Sequence, residues 1–392
     1  MGLTALKLEL LMCLLAVAGL VTSVWWVWPR LSVRTWPAVI GRVAVLLGNQ
    51  VLILVALALA LNNYFGFYGS WSDLLGADDG VAAPIVSDAG DPGQAGRQIG
   101  GVQVVRTARV PPIEGHKGHP GGRLEQVVIS GGASGLSAPA YVYLPPQYFE
   151  KKHVHTRFPV IVALTGYPGD ARNLLTRMNM PAVAAMAIER HEMAPTVLVL
   201  MRPTVAPPRD TECMDVPGGP KVETYFAQDV RESMAGAFRV GTDAASWGIM
   251  GTSTGGFCAL KISMRHPEAY SAVASLSGYF RAPTDATTGD LFGGDRRLQN
   301  ENDLMWRLAN LPPPPITALV TTSELGESNY RPTLDFLAAV RPPMRASSLI
   351  LPSGGHNFNT WNRELPQALP WLAQQLHHPA EGHGGATPTP RS

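Results

Sequence analysis

The chain has 392 residues, of which 46% are hydrophobic and only 16% are charged, whereas an average soluble protein has about 25% charged residues. This length allows one large α/β domain with additional segments, and the shortage of charge indicates that part of the chain avoids water. The 31 basic residues nearly balance the 30 acidic ones, which argues against a nucleic-acid partner because such proteins carry a basic excess. Three cysteines are too few for a disulfide framework or a four-cysteine zinc site.

Two long apolar runs, residues 8–28 and 39–61, open the chain. Each has about the 20 residues that a helix needs to cross a bilayer. Aromatic residues, which concentrate at lipid–water boundaries, end the first run (Trp25, Trp26, Trp28) and follow the second (Tyr64, Phe65, Phe67, Tyr68, Trp71). The pattern predicts a transmembrane hairpin within residues 1–68, with the lipid bilayer as partner, in preference to two buried core helices.

Charge predicts the orientation of this hairpin. The connector between the two runs holds Arg30 and Arg34, whereas the segment after the second run is acidic, with Asp73, Asp78 and Asp79. Because short basic loops stay in the cytoplasm, every residue after about position 62 is expected on the extracytoplasmic side of the cell membrane. Two polar residues inside the second run, Asn49 and Gln50, are expected to face another helix.

Composition divides the rest of the chain into a linker, a domain and a tail. Residues 69–122 are dominated by Gly, Ala, Asp and Pro, which predicts a flexible linker in which only a short strand near 102–105 docks on the domain. Residues 378–392 are rich in Gly, Pro and Thr, which predicts a disordered tail. The folded domain is therefore expected over residues 123–377.

Short apolar runs alternate with helical patterns through this domain. Strands are predicted at 124–129, 140–144, 159–164, 196–201, 246–250, 272–276, 316–321 and 347–351, and helices at 179–191, 222–238, 255–265, 333–339 and 365–376. Such alternation predicts an α/β fold with a mainly parallel sheet covered by helices on both faces. The first two strands, close in sequence, are expected to form an antiparallel pair at the edge of the sheet.

The strongest chemical signal is Gly-Thr-Ser-Thr-Gly at residues 251–255, between a predicted strand and a predicted helix. This is the context that a G-x-S-x-G nucleophile elbow requires, because the glycines two positions before and after the serine keep side chains clear of the sharp turn. The helix amino terminus also directs N–H groups at a developing oxyanion. Ser253 is therefore the predicted nucleophile. A phosphate-binding loop is the alternative, but no lysine completes its motif.

A serine nucleophile needs a base and an acid that orients the base. His356, in Gly-Gly-His after the last predicted strand, has the chain order and the location expected of the base. The acid should follow the preceding strand, where Glu324 and Glu327 both stand. We favour Glu327, which lies beyond a glycine turn that lets the loop curl toward His356, and keep Glu324 as the alternative acid. Asp335 ranks behind both because it falls on a predicted helix.

Two backbone N–H groups are needed to bind the oxyanion. One is the N–H of Thr254, directly after the nucleophile. The second should come from the loop after an earlier central strand, here Thr-Gly-Tyr-Pro-Gly at residues 165–169. Tyr167 is the predicted donor because Pro168 has no N–H, although a plain Gly-Pro turn would give the same sequence.

From about residue 123 to residue 376 the sequence resembles an esterase family of α/β-hydrolases that includes S-formylglutathione hydrolases, feruloyl and enterochelin esterases and secreted mycolyltransferases. The resemblance rests on the motif at residues 247–256, on His-Pro-Glu at 266–268 before Ser-Leu-Ser-Gly at 275–278, and on Gly-Gly-His at 354–356. It implies the α/β-hydrolase fold and the same roles for Ser253, His356, Tyr167 and Thr254, and leaves the acid open between the two glutamates. It also sets apart residues 211–225 as specific to a membrane-tethered subgroup, in which they are expected to shape the mouth of the site.

These observations favour a membrane-anchored serine esterase that faces outward and cleaves an ester or acyl-lipid substrate through an acyl-enzyme on Ser253. An acyltransferase that moves the acyl group to a sugar or lipid alcohol is one alternative, and a non-catalytic binding module of the cell envelope is the other. No metal or organic cofactor is implied. Cys213 and Cys258 could pair only if the fold brings them together, and two free thiols fit the sequence equally well.

Overall fold

A computed structural model describes residues 5–65, 71, 98–110, 121–207 and 209–377. The chain divides into two units, Met1–Val81 and Ala82–Ser392. Most of the predicted linker and the whole predicted tail, 378–392, lie outside the described residues. The two units are described separately below.

The first unit is built from two long helices. One begins at Leu6 and runs to Thr22, continues through a π-helical turn, Ser23–Val27, and ends with Trp28–Arg30. The second spans Trp36–Phe65. Both helices are long and apolar enough to cross a membrane, and nearly all of their large apolar side chains are exposed. Their bounds contain the two apolar runs that the sequence marks.

A polar contact joins these helices midway along the second. The Asn49 side-chain amide donates to Ser23 Oγ at 2.7 Å, and that hydroxyl donates to the Gly19 carbonyl at 2.6 Å. A Cβ on Gly19 would lie 2.8 Å from Asn49 Oδ1, so the glycine permits the close approach. Asn49 therefore makes the predicted helix contact. Gln50 is exposed, and the expectation that it also faces a helix is wrong for this pair, because successive helix positions point in different directions.

The second unit is built on one ten-stranded sheet in the order β1-β2-β3-β4-β6-β5-β7-β8-β9-β10. Its strands are β1 Gln98–Ile99, β2 Val102–Arg109, β3 Arg123–Ser130, β4 Ser137–Leu144, β5 Val160–Leu164, β6 Val197–Met201, β7 Trp247–Thr252, β8 Ala272–Leu276, β9 Thr317–Leu325 and β10 Arg345–Ser353. Its helices of five or more residues are Arg172–Thr176, Met180–Glu189, Val230–Ala237, Thr254–Arg265, Arg296–Glu301, Leu304–Asn310, Tyr330–Ala339 and Phe358–Gln374. Val222–Thr224 and the π-helical Tyr225–Asp229 lead directly into Val230–Ala237.

Strands β5 to β10 pair in parallel, whereas β1 to β4 are antiparallel and β4 joins β6 antiparallel. Every residue of β5 and β6 is buried, which explains their unbroken apolar sequences. Helices cover both faces. Val230–Ala237 and Thr254–Arg265 pack in one apolar cluster, and Met180–Glu189 and Phe358–Gln374 pack in the other. The predicted mainly parallel sheet with two covered faces is confirmed.

The antiparallel end of the sheet differs from the prediction. β3 and β4 do pair antiparallel, but they are not at the edge, because β2 pairs with β3 along Val102–Arg109 and β1 follows. The strand expected near 102–105 is therefore eight residues long, and the sheet begins within the segment assigned to the linker. The alternation of β2 is weak, with Val102 and Val104 buried but a register shift after Val104, and this irregularity hides the strand from a period-two pattern.

Candidate active site

Ser253 lies at the turn between β7 and the helix Thr254–Arg265, where the carboxyl ends of the parallel strands meet. Its backbone has φ 54° and ψ −121°, a sparsely populated conformation for a residue with a side chain. The turn is held by two hydrogen bonds. Ser253 N–H donates to the Leu276 carbonyl at 2.9 Å, and Phe257 N–H donates to the Ser253 carbonyl at 3.0 Å. The strained turn directs Oγ away from the sheet and into the site.

Two glycines beside the serine are required by the packing of the backbone. A Cβ on Gly251 would lie 2.3 Å from the carbonyl carbon of Gly255. A Cβ on Gly255 would lie 2.3 Å from the Thr165 carbonyl oxygen and 2.5 Å from that of Leu164. These contacts are with backbone atoms, which cannot move away as a flexible side chain can. The Gly-x-Ser-x-Gly spacing is therefore a steric requirement of this turn.

His356 reaches the serine from the loop after β10. Its Nε2 lies 2.7 Å from Ser253 Oγ, and about half of its side chain is exposed. The loop is fixed by the next helix, since Asn357 Oδ1 caps it by accepting from two backbone N–H groups. The Trp361 ring packs edge-on to the imidazole, with centroids 5.4 Å apart, and its Nε1 donates to Ser277 Oγ at 3.0 Å. The imidazole thus contacts the Ser253 hydroxyl and is open to solvent.

Glu327 lies on the other side of this imidazole, with Oε1 3.7 Å from His356 Nδ1. Its side chain is 1% exposed. Burial alone would raise the pKa of this carboxyl, but the imidazole of His356 and the hydroxyls of Ser277 and Ser323 hold its pKa below the ordinary value. The ionised form of the carboxyl is therefore favoured beside the imidazole of His356.

A glycine turn brings the Glu327 loop to the histidine loop. Gly326 has φ +96°, and a Cβ there would lie 1.9 Å from the Gly354 carbonyl oxygen. Gly354 N–H donates to the Leu325 carbonyl at 2.9 Å. The two loops therefore touch backbone to backbone, as the predicted curl of the loop requires. Glu324 is exposed on β9, and Asp335 is exposed on the helix Tyr330–Ala339.

The loop after β5 passes beside Ser253. A Cβ on Gly166 would lie 3.0 Å from Ser253 Cβ and 3.5 Å from its Oγ. Tyr167 follows directly and is joined to Pro168 by a cis peptide. Thr254 is the first residue of the helix and is buried. The predicted oxyanion donors, Tyr167 and Thr254, therefore belong to the two backbone segments that flank Ser253.

Sequence reasoning missed two residues on the helix that follows His356. They are Trp361, described above, and Glu364, which is fully buried. Burial raises the pKa of Glu364 to about 8, the negative charge of Glu327 adds to this, and the Thr321 hydroxyl acts against it. Burial thus favours the neutral form of Glu364, close to the ionised carboxylate of Glu327. The three-residue spacing places both side chains on one helix face, but a sequence does not show which face is turned to the site.

Cys213 and Cys258 form a disulfide, with Cα atoms 5.6 Å apart. Cys258 lies on the helix that begins after Ser253, and Cys213 lies in the segment between β6 and β7. The sequence left this pairing open because the contact joins residues 45 positions apart. Within the described ranges, no group of three or more His, Cys, Asp or Glu side chains is arranged to hold a metal ion.

Comparison with known proteins gives matches of two kinds. A family model described as "Putative esterase" matches residues 133–372. An uncharacterized protein of Corynebacterium glutamicum, Cgl0967/cg1104, is 27% identical over an alignment of 270 residues that covers 65% of this chain and 62% of the relative. The chain thus spans less than two thirds of the length of this curated relative.

Several solved structures share the fold of the second unit. An S-formylglutathione hydrolase from Agrobacterium tumefaciens is similar with a TM-score of 0.55 and 16% identity, over 69% of this chain and 99% of that one. A ferulic acid esterase is similar with a TM-score of 0.54 and 18% identity, over 64% of this chain and 97% of the esterase. The fluorophosphonate-binding serine hydrolase FphF of Staphylococcus aureus is similar with a TM-score of 0.53 and 15% identity, over 64% of this chain and 98% of FphF. At these identities the similarity establishes the α/β-hydrolase fold.

Proposed function

We propose that this chain, which belongs to the Putative esterase family, is a serine esterase whose nucleophile is Ser253. The observation that carries the proposal is the 2.7 Å contact between Ser253 Oγ and His356 Nε2 at a strained strand-to-helix turn. Glu327, buried on the opposite side of the imidazole, is proposed as the acid of the triad. Glu324 would have to leave its exposed position on β9 to take that role.

The chemistry follows from this arrangement. Ser253 Oγ attacks the carbonyl carbon of an ester while its proton passes to His356 Nε2, and the carbonyl electron pair moves onto the oxygen. The backbone N–H groups of Thr254 and Tyr167 are proposed to bind that oxyanion. When the tetrahedral intermediate collapses, the alcohol leaves with the proton from His356 and the acyl group stays on Ser253. Water then repeats the sequence and releases the acid.

Glu327 supports both proton transfers through charge. Its anionic carboxylate lies next to Nδ1, so it favours the tautomer that leaves Nε2 free to accept and stabilises the imidazolium that forms. The separation of 3.7 Å is longer than a normal hydrogen bond, as is common in catalytic groups before the substrate is bound. The half-exposed His356 leaves room for an ester to approach from solvent.

A fluorophosphonate probe tests this proposal on the full-length chain in detergent. We expect one covalent adduct per chain, which mass spectrometry maps to the peptide that contains Ser253. An excess of a short-chain p-nitrophenyl ester should slow the rate of labelling. The folded Ser253→Ala variant should give no adduct. An unlabelled wild-type chain would contradict the proposal and favour the non-catalytic binding module. An adduct on another residue would contradict Ser253 as the nucleophile.

A second experiment, with a p-nitrophenyl ester as substrate, separates hydrolysis from acyl transfer. Both reactions share the steps up to the acyl-enzyme and differ in whether water or an alcohol attacks it. The released acyl product is therefore analysed with and without an added sugar or lipid alcohol. Free acid in both cases supports the esterase, and an ester of the added alcohol supports the acyltransferase.

We further propose that the helix hairpin anchors the enzyme in the cell membrane with the second unit on the extracytoplasmic side. Two helices long and apolar enough to span a bilayer support the anchor, and the Arg30 and Arg34 connector supports the orientation. The Cys213–Cys258 disulfide also favours this side, because disulfides persist in oxidising compartments. A membrane-impermeant fluorophosphonate should then label the full chain in right-side-out vesicles and fail to label it in sealed inverted ones. The reverse pattern would overturn the orientation but not the chemistry.

A further inference from the structure

A buried segment, Asp210 to Cys213, is fastened to one face of the helix that carries the nucleophile. Cys258 bonds covalently to Cys213. Lys261, which is fully buried, donates from Nζ to the carbonyl of Glu212 at 2.9 Å and to that of Cys213 at 2.8 Å. Positions 254, 258 and 261 recur at helical spacing and so share a face. The segment is thus held against the first two turns after Ser253.

The segment is held in a conformation that its residues do not favour. Glu212 and Cys213 both have positive φ, at 49° and 52°, although neither is a glycine. Such a conformation costs free energy at each residue and persists only where surrounding contacts enforce it. Three kinds of contact enforce it here. They are the disulfide, the two hydrogen bonds from Lys261, and the hydrogen bond that the Glu212 N–H donates to Asp210 Oδ1 at 3.0 Å. What this arrangement fixes is the Glu212 side chain.

That side chain connects to the oxyanion residue through one tyrosine. The Tyr279 hydroxyl lies 2.7 Å from each carboxylate oxygen of Glu212 and 3.1 Å from Thr254 Oγ1. The Tyr279 ring stacks on Phe257, with centroids 4.9 Å apart and planes 18° from parallel. Tyr279 comes directly after Gly278, which packs against the same helix turn. Glu212, Tyr279 and Thr254 thus form a hydrogen-bonded chain that ends beside the nucleophile.

Fold stability alone does not account for a carboxyl group at this position. Glu212 is 1% exposed. Burial, aided by the charges of Asp210 and Asp285, raises its pKa to about 8 against the opposing effects of Tyr279 and Lys261. Burying an ionisable group is costly, and an apolar side chain of similar volume often stabilises a core more. A costly polar group aimed at the first residue of the catalytic helix points to a functional role.

We propose that Glu212 and Tyr279 are positioning residues that fix Thr254, and with it the backbone N–H that binds the oxyanion. This inference rests on the proposed function and deepens it. Glu212 holds the tyrosine hydroxyl, the hydroxyl holds Thr254 Oγ1, and the first turn of the helix cannot rotate about the strained Ser253. The N–H is therefore already aimed where the negative charge forms. Such preorganisation acts on the transition state and contributes little to substrate binding.

Steady-state kinetics of p-nitrophenyl ester hydrolysis by the full-length chain test the proposal. Tyr279→Phe keeps the stack on Phe257 and removes only the hydroxyl, and Glu212→Ala removes the carboxyl. Each should lower kcat about 10- to 100-fold and leave KM within about twofold, since a loosened donor costs part of the roughly 10²- to 10³-fold that losing one costs. The Glu212→Gln variant should keep kcat within about threefold of wild type, because the amide oxygen can still accept a hydrogen bond from the Tyr279 hydroxyl.

The matched control is Tyr270→Phe. Tyr270 is also buried, and its hydroxyl donates to the Phe226 carbonyl at 2.7 Å with no link to Thr254 among the described contacts. This variant should lose stability as Tyr279→Phe does and keep its kcat. Equal kcat losses in the two variants, or a wild-type kcat in Tyr279→Phe, would overturn the positioning role. Fluorophosphonate labelling of wild type separates the questions, because its failure would refute the serine esterase itself.

The double variant Glu212→Ala/Tyr279→Phe gives an independent measure. Residues that act as one hydrogen-bonded chain lose their effect together, so the double variant should be no slower than the slower single variant. Fully additive losses in kcat would show that the two residues act separately and would contradict the chain.

Discussion

A full-length chain in which Ser253 is replaced by alanine is expected to hydrolyse esters about 10⁶-fold more slowly than wild type, measured as kcat. The cause is the loss of the hydroxyl oxygen that lies 2.7 Å from His356 Nε2. His356→Ala should cost nearly as much, because the serine hydroxyl is a weak nucleophile until the imidazole takes its proton. The measurement is steady-state hydrolysis of a p-nitrophenyl ester at saturating substrate.

The double variant Ser253→Ala/His356→Ala is the informative comparison. Residues that act as one unit are strongly non-additive, so the double variant should be about as slow as Ser253→Ala alone. The residual rate then reports the oxyanion site and binding. If His356→Ala retained more than about a tenth of wild-type kcat, His356 would not be the base. Circular dichroism of each variant shows that the fold is intact.

Replacing Glu327 by glutamine is expected to lower kcat about 10³- to 10⁴-fold with little change in KM. Glutamine keeps the size of the side chain but removes the charge and can donate toward Nδ1, which favours the wrong tautomer of His356. The buried position strengthens the effect, since little water screens the interaction between the carboxylate and the imidazolium.

Glu324→Gln is the matched control, three residues away and chemically identical. Glu324 is exposed on β9, so its neutralisation should change kcat by less than about twofold. The pair of variants decides between the two glutamates that the sequence left open. A large loss in Glu324→Gln together with a small one in Glu327→Gln would reverse the assignment of the acid.

The alternation of elements could be predicted from sequence because the central strands are buried on both faces. β5 and β6 read as unbroken apolar runs, and the strand–Gly-x-Ser-x-Gly–helix order is local in sequence and dictated by backbone contact. His356 could be singled out by its chain order and by its Gly-Gly-His context after the last predicted strand. These features depend on residues that are close together along the chain, and a sequence displays such local patterns directly.

The features that could not be predicted depend on contacts across the fold. The Cys213–Cys258 bond and the Glu212–Tyr279 contact join residues 45 and 67 positions apart, and no local pattern reports such pairs. The register shift of β2 hid the full length of this strand, of which only a short part near 102–105 was predicted. Trp361 and Glu364 lie ahead of the helix predicted at 365–376, in the first turns of the longer observed helix. Only the docking of that helix decides which side chains reach the site.

The strained backbone at Ser253 has a consequence for any effort to engineer or select this protein for robustness. Glycine adopts positive φ without the penalty of about 1–3 kcal/mol that a side chain incurs there, so Ser253→Gly is a substitution that thermal selection would enrich. That same change deletes the nucleophile. A library ranked by thermostability would therefore favour inactive chains at this one position, and an activity screen has to accompany any stability screen of this protein.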